Sequence, residues 1–285
     1  MNQIVSTPGV VGFALKPLTP TIGAEVEGLD LRGPLAGEVI DGLRAALLDW
    51  KVLFFRDQPI DTEQHLAFAR RFGELEIHPF TANKPGYPEI LVLHHDEARP
   101  GTQNHWHSDV TWREEPSLGS ILRAVEIPPV GGDTLFADMY AAYEGLPDDI
   151  KAKIEGRSAV HAATGFMNRK RASGASAEEL AELAAKYPAV EHPIVRTHPE
   201  TGRKGLYVNT LFTKHIVGMA PEQSSALLAY LYSRASIPEY QCRFRWRANS
   251  IAFWDNRASQ HYAASDYWPA VRIVERATIV GDRPR

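Results

Sequence analysis

Short apolar or alternating runs recur at residues 23–31, 52–56, 90–93, 119–127, 134–137, 205–209, 250–254 and 272–280, and this pattern constrains the fold more than any other feature. A period of two, or a brief apolar run bounded by turn residues, reads as a β-strand. Helical patterns fall at 35–50, 62–72, 139–155, 176–187 and 221–236. Ser176 followed by Glu179 has capping-box spacing and predicts a helix start there. The order is too irregular for consecutive βαβ units, and no glycine-rich phosphate loop follows a strand, which argues against dinucleotide-binding and P-loop folds. Strands gathered before and after a helical insert predict an α+β chain with a mainly β core, an antiparallel barrel or jelly roll. Turn chemistry agrees, since Pro128-Pro129-Val130-Gly131-Gly132 and Pro199-Glu200-Thr201-Gly202 each separate two strands.

The 285 residues suffice for one substantial core, and no repeat, low-complexity tract or linker divides them, so a single domain over 1–285 is expected. A net charge of -4 without a basic tract leaves no electrostatic footprint for nucleic acid. Cys242 is the single cysteine, which excludes intramolecular disulfides, iron–sulfur clusters and cysteine zinc sites, and fits a reducing compartment. The opening MNQIVSTPGVVGFALKPL lacks the charged-then-apolar pattern of a leader, and no run approaches the roughly 18 apolar residues of a membrane span. The expectation is a cytoplasmic protein acting on a small molecule.

Eleven histidines are present, and most need no special role. His65 lies in a helical pattern, and His192 and His198 precede prolines or sit in loop-like sequence, so surface or packing roles are expected. A His-x-Asp pair on a strand puts both side chains on one face, within reach of one metal. The pattern occurs twice. His94-His95-Asp96 runs into Glu97, Arg99, Pro100 and Gly101 and reads as a strand end entering a solvated loop. His107-Ser108-Asp109, in NHWHSDV, is flanked by Trp106, Val110 and Trp112, which could keep a site dry. A facial set of two histidines and one carboxylate binds Fe(II) and leaves positions open; His261, after the apolar 250–254 run, is a candidate third donor.

Residues 272–280 place Arg272, Val274, Arg276, Thr278 and Val280 on one face and Ile273, Glu275, Ala277 and Ile279 on the other. Each face mixes charge with apolar groups, so either could point inward. The arginines could be surface or salt-bridged groups. If buried they need partners, and forked hydrogen bonds to carboxylate or sulfonate groups would supply them.

The segments IGAEVEGLDL, KVLFFRDQ, RRFGELEIHP, NHWHSDVTW, GSILRA, GGDTLFADMYAAYEGL, HPETGRKGLYVN, FWDNRASQHYA and VRIVERATIVGD, in this order, resemble the Fe(II)/2-oxoglutarate-dependent dioxygenases of the taurine dioxygenase and 2,4-dichlorophenoxyacetate dioxygenase type. The resemblance covers nearly the whole chain. It implies a double-stranded β-helix, or jelly roll, with helices outside and an insert over the site. It implies that His107, Asp109 and His261 hold iron, that Thr134 and Arg272 bind the far carboxylate of 2-oxoglutarate, and that Arg276 meets the substrate's anionic group and helps position the co-substrate. His78 and the Val110 amide would contact substrate. Gln103, Thr81 and Trp112 stand where taurine-type members carry asparagine, an aromatic hydroxyl and phenylalanine, so Gln103 is a candidate co-substrate contact and Trp112 a candidate substrate contact. The implied reaction consumes O2 and 2-oxoglutarate, releases succinate and carbon dioxide, and hydroxylates a small anionic substrate, with ascorbate as activator in vitro. A sulfonate such as taurine, an alkyl sulfate or an aryloxyalkanoate would suit, and hydroxylation beside the leaving group collapses the product to an aldehyde or keto acid. A homo-oligomer, dimer or tetramer, is a family expectation.

Two rivals remain at this point. His105, His107 and Asp109 match part of the H-x-H-x-D-H pattern of metallo-β-lactamase-type zinc hydrolases, although Val110 replaces the last histidine. A non-catalytic jelly-roll binding protein would keep the fold alone.

Overall fold

A computed structural model describes residues 12–285, so most of the stretch read for a leader, and the start of the expected 1–285 domain, lie outside the described residues. The N-terminal half opens with β1 (Ala14–Pro17), β2 (Ala24–Glu27), α1 (Gly37–Trp50), β3 (Val52–Phe55), α2 (Thr62–Ala69), β4 (Asn83–Lys84), β5 (Tyr87–His95), β6 (Gly119–Glu126) and β7 (Thr134–Asp138). The insert carries α3 (Met139–Glu144), α4 (Asp148–Ile154), β8 (Ser158–His161), α5 (Thr164–Ala172), α6 (Ala177–Lys186), β9 (Val190–Pro193), β10 (Val195–Thr197), β11 (Lys204–Leu206), β12 (Thr213–Ile216) and α7 (Pro221–Ser233). The chain then returns as β13 (Gln241–Phe244), β14 (Ile251–Asp255), β15 (Ser259–Ala263) and β16 (Arg272–Ile279).

Eight strands form one sheet in the order β1-β2-β3-β14-β6-β16-β5-β4, antiparallel except between β2 and β3, and a smaller sheet β13-β7-β15 accompanies it. The expected jelly roll is present, as an open sandwich and not a closed barrel. Alternation along the central strands explains why. On β3 and β14, Val52, Phe54, Ala252 and Trp254 pack with Phe136, Cys242 and Phe244 of the small sheet. Their neighbours Leu53, Phe55, Ile251 and Phe253 pack instead with Leu43 and Leu47 of α1 and Leu66 and Phe68 of α2. Both faces are therefore apolar and buried, each large side chain contributing on the order of 2 kcal/mol. The residues of α1 that meet the sheet, Val39, Ile40, Leu43, Ala46 and Leu47, recur at helical spacing.

The insert builds its own core from Met139, Leu146, Ile154, Ile194, Leu206, Val208, Ile216, Leu227, Leu228 and Leu231. The helix expected over 139–155 is two helices, because Pro147 cannot supply an N–H and biases Leu146 away from helical backbone. The start at Ser176 is as expected, its hydroxyl accepting from the Glu179 amide at 3.1 Å. The described residues contain no helix long and apolar enough to cross a membrane.

Candidate active site

The NHWHSDV segment is docked on β15 by backbone pairing. His107 and His261 face each other as an antiparallel bridge, exchanging N–H···O bonds of 3.1 and 2.8 Å. Their imidazole centroids lie 4.2 Å apart. Next along the segment, the Ser108 hydroxyl donates to Ser259 O at 2.8 Å and the Asp109 amide donates to Asn256 Oδ1 at 3.1 Å. Asn256, in the turn between β14 and β15, is a fully used amide. Its oxygen also accepts from Trp254 Nε1 at 2.9 Å, and its nitrogen donates to Ser117 and Ser120. Ser120 in turn donates to Asp109 Oδ2 at 2.8 Å. Sequence reading passed over Asn256 and Ser120; burial of polar residues beside an apolar strand is the signal that could have marked them.

The other carboxylate oxygen, Asp109 Oδ1, lies 4.0 Å from His107 Nε2 and 3.9 Å from His261 Nε2, and one atom from each of the three side chains falls within 4.8 Å of the other two. All three are buried. His107 Nδ1 donates to His105 O at 2.8 Å, which leaves Nε2 bearing a lone pair. Burial lowers the proton affinity of both histidines, so the rings stay neutral. Burial acts to raise the Asp109 carboxyl, but Arg276, His261 and His107 outweigh it and hold it well below the usual carboxylate range. Two neutral imidazoles and a carboxylate fixed as an anion fit a divalent metal of the facial type.

The cleft beside these donors is lined by His78, Gln103, Val110, Thr134, Arg272 and Arg276, six of the residues singled out in the sequence. The ambiguity of the last strand is resolved by burying both faces. Arg272, Val274 and Arg276 face the jelly-roll interior, while Glu275 turns to the helical side and pairs with Lys84 and Arg123, both at 2.6 Å. Arg276 Nη1 lies 2.5 Å from Asp109 Oδ1. Arg272 is 3% exposed, has no acidic partner among the described residues, and leaves Nε without an acceptor. Its guanidinium lies 5.9 Å from the rings of Trp246 and Tyr267. Thr134 Oγ1 accepts from Trp246 Nε1 at 2.9 Å. The close approach of Arg272 depends on Gly132, at φ +71, where a Cβ would come within 3.2 Å of the arginine side chain.

At the opposite end, His78 Nδ1 accepts from the Phe80 and Thr81 amides at 3.2 and 3.1 Å. That fixes the proton on Nε2, a neutral donor. Burial, with Arg276 and Arg113, lowers its proton affinity to about 3. Phe166, Leu211 and Phe212 supply the apolar wall. Val110, a β-branched residue at φ 48, holds a strained left-handed backbone beside the carboxylate donor.

Several expectations shift in position. Trp112 does not line the cleft; it packs one layer behind, edge-on to His78 at 6.4 Å and to Tyr187 at 5.1 Å. His105 is exposed and its ring stands outside the donor cluster. The other His-x-Asp copy ends β5 in an Asp96–Arg99 ion pair, yet His95 itself faces the cleft, with Nδ1 2.6 Å from Tyr267 Oη. Sequence reading missed His95, Tyr267 and Phe166. His65, His192 and His198 serve packing, each bonded to Ile121 O, Arg113 O or Asp255.

Comparison with known proteins agrees with this geometry. The profile of "Taurine catabolism dioxygenase TauD, TfdA family" matches residues 14–278. The chain is 38% identical over 275 residues to an alkylsulfatase of Acinetobacter baylyi, covering 94% of this chain and 85% of the relative. It is 34% identical over 283 residues to an alpha-ketoglutarate-dependent 2,4-dichlorophenoxyacetate dioxygenase of Cupriavidus pinatubonensis, covering 93% and 97%. A solved taurine dioxygenase structure from Burkholderia xenovorans superposes with a TM-score of 0.82 at 41% identity, covering 96% of this chain and 91% of that one. Neither the zinc hydrolase nor the non-catalytic scaffold finds support. Its match over nearly its whole length places this chain in the TauD/TfdA family of 2-oxoglutarate-dependent dioxygenases.

Proposed function

We propose that His107, Asp109 and His261 hold iron(II), that Arg272 with Thr134 receives the far carboxylate of 2-oxoglutarate, and that Arg276 and His78 receive the anionic group of a small organic substrate. The observation that carries this reading is one cleft lined both by the three donors and by a buried arginine with no acidic partner among the described residues. A buried unpaired cation is costly unless a ligand completes it. Gln103 borders the same cleft as a further candidate contact for the co-substrate, and Val110 presents its backbone on the substrate side. When bound, iron and 2-oxoglutarate supply the oxidising chemistry that hydroxylates the substrate, with succinate and carbon dioxide as coproducts.

The chain's own residues bind, orient and protect. Ser120 and Asn256 hold the carboxylate donor, His105 O sets the His107 tautomer, and the Nε2–H of His78 offers a neutral hydrogen bond that an anion accepts. Phe166, Leu211 and Phe212 exclude water around the carbon to be oxidised. The relatives' names span sulfate esters, sulfonates and 2,4-dichlorophenoxyacetate, all anionic heads on small organic bodies. Trp112 backs the same end from behind, edge-on to His78. We further assign one catalytic domain acting in the cytoplasm as a homo-oligomer, which light scattering of the purified protein would check.

The test is succinate release with Fe(II), ascorbate and 2-oxoglutarate across sulfonates, alkyl sulfates and aryloxyalkanoates. Substrate-stimulated succinate is expected for at least one class. Its absence throughout, with metal-dependent hydrolysis instead, would overturn the reading.

A further inference from the structure

Asp109 has one oxygen free for a metal, and Arg276 already holds it. Oδ2 is taken by the Ser120 hydroxyl at 2.8 Å, while Oδ1, which faces both histidines, meets Arg276 Nη1 at 2.5 Å. Metal–donor bonds of roughly 2.1 Å at right angles bring neighbouring donors to about 3 Å. Here Oδ1 stands 3.9 and 4.0 Å from the two imidazole nitrogens and 2.5 Å from the guanidinium. The Arg276 side chain makes no other hydrogen bond among the described residues, and its buried Nε lacks an acceptor. It is a single-pronged pair on a group built for forks.

We propose that Arg276 is a latch on the metal site: it occupies the metal-facing oxygen of Asp109 until a divalent cation takes that atom, and the guanidinium so released becomes the receptor for the substrate's anion. The inference rests on the metal and substrate assignments above. A dication placed beside a released guanidinium repels it, and an anion on Arg276 relieves that repulsion. Metal and anion therefore favour each other, and linkage makes the effect equal in both directions. Substrate recognition then waits for a loaded centre, which keeps the anion from settling in a protein unable to turn it over.

Binding of Co(II), followed by its visible absorption and by calorimetry on the full chain without 2-oxoglutarate, tests this without turnover. Methanesulfonate should tighten Co(II) binding to the unaltered protein roughly five- to tenfold, within the usual range of coupling between sites. In Arg276→Gln, Co(II) should bind tighter than in the unaltered protein when no anion is present, and methanesulfonate should no longer change it. Equal or weaker Co(II) affinity in a folded Arg276→Gln protein overturns the latch. Should that variant not fold, an absence of methanesulfonate linkage in the unaltered protein overturns it alone. If the unaltered protein binds no Co(II), or binds it equally well after His261→Ala, the metal assignment itself has failed.

Discussion

Arg272 and Arg276 lie four residues apart on the same strand, share one face, and are both buried, yet among the described residues Arg276 has a carboxylate partner and Arg272 has none. Their surroundings differ accordingly. Arg276 sits among charged and polar groups, Asp109 and neutral His78, with the Arg113–Glu76 ion pair nearby. Arg272 sits against Trp246, Tyr267 and Gly132, with no carboxylate in ion-pair range among the described residues, and burial lowers its proton affinity. The difference teaches that a buried charge is best read by what is missing around it. A cation satisfied within the chain can serve the fold first and a ligand second, whereas one left incomplete points to a ligand from outside.

The sharpest way to break this comparison is to remove the acid that separates the two. Asp109→Ala should lower turnover by at least about a thousandfold, roughly 4 kcal/mol of transition-state stabilisation, while His105→Ala should change it little; steady-state succinate assays on both decide it. A comparable loss in the His105 variant would mean the donor set is misassigned. Next in size, Arg272→Ala should raise the KM for 2-oxoglutarate about a hundredfold, since truncating one partner of a buried charge pair costs several kcal/mol. A selective loss of affinity for the organic substrate instead would exchange the roles of the two arginines.

Stability should separate them in opposite directions. In metal-free protein, Arg276→Leu strands the buried Asp109 anion and should cost about 3 kcal/mol, whereas Arg272→Leu removes an unpaired buried cation and should be neutral or stabilising by about 1 kcal/mol. Urea unfolding of both variants tests the contrast, and equal losses would show that Arg272 is paired within the chain. The smallest effect concerns protons. His78 takes a proton in the unfolded chain below pH 6.5 but in the fold only near 3, so its share of stability is complete above pH 6.5 and falls as pH drops toward 3. By pH 5.5 about 1.4 kcal/mol of it is lost, and the loss between pH 7.5 and 5.5 should shrink by about that amount in His78→Gln. Affinity for methanesulfonate in Co(II)-loaded protein should stay level over the same interval; a rise on acidification would mean His78 binds the anion as a cation.

Much of the framework was legible because both faces of the central strands are apolar, and such runs stand out in the sequence. β3, β6, β14 and β16 lie within a residue or two of their expected ends. β15 was not legible, and for a physical reason: SQHYA buries polar side chains on both faces, His261 toward the cleft and Gln260 toward Val208 O of the insert, so no apolar alternation marks it as a strand. The same holds for Tyr267 and His95, whose places follow from β5 lying beside β16 with His95 opposite Arg272, a register no local pattern encodes. Phe166 comes from α5, a helix with no buried residue and hence no apolar stripe to announce it. The proposed metal donors were legible only in combination, because a lone His-x-Asp occurs twice and distant residues had to choose between the copies.

The bridge between His107 and His261 joins positions more than 150 residues apart, with the whole insert looped out between them. Contacts of such long separation form late, because the entropy of closing the intervening chain must be overcome before they add any stability. Since β3 pairs with β14 and β5 with β16 over still longer separations, the proposed reaction centre can form only together with the central sheet. A half-folded chain would hold one histidine and the carboxylate on a loose segment, too few donors to retain a reactive metal. Oxidative chemistry is thereby withheld until the protein around it is complete.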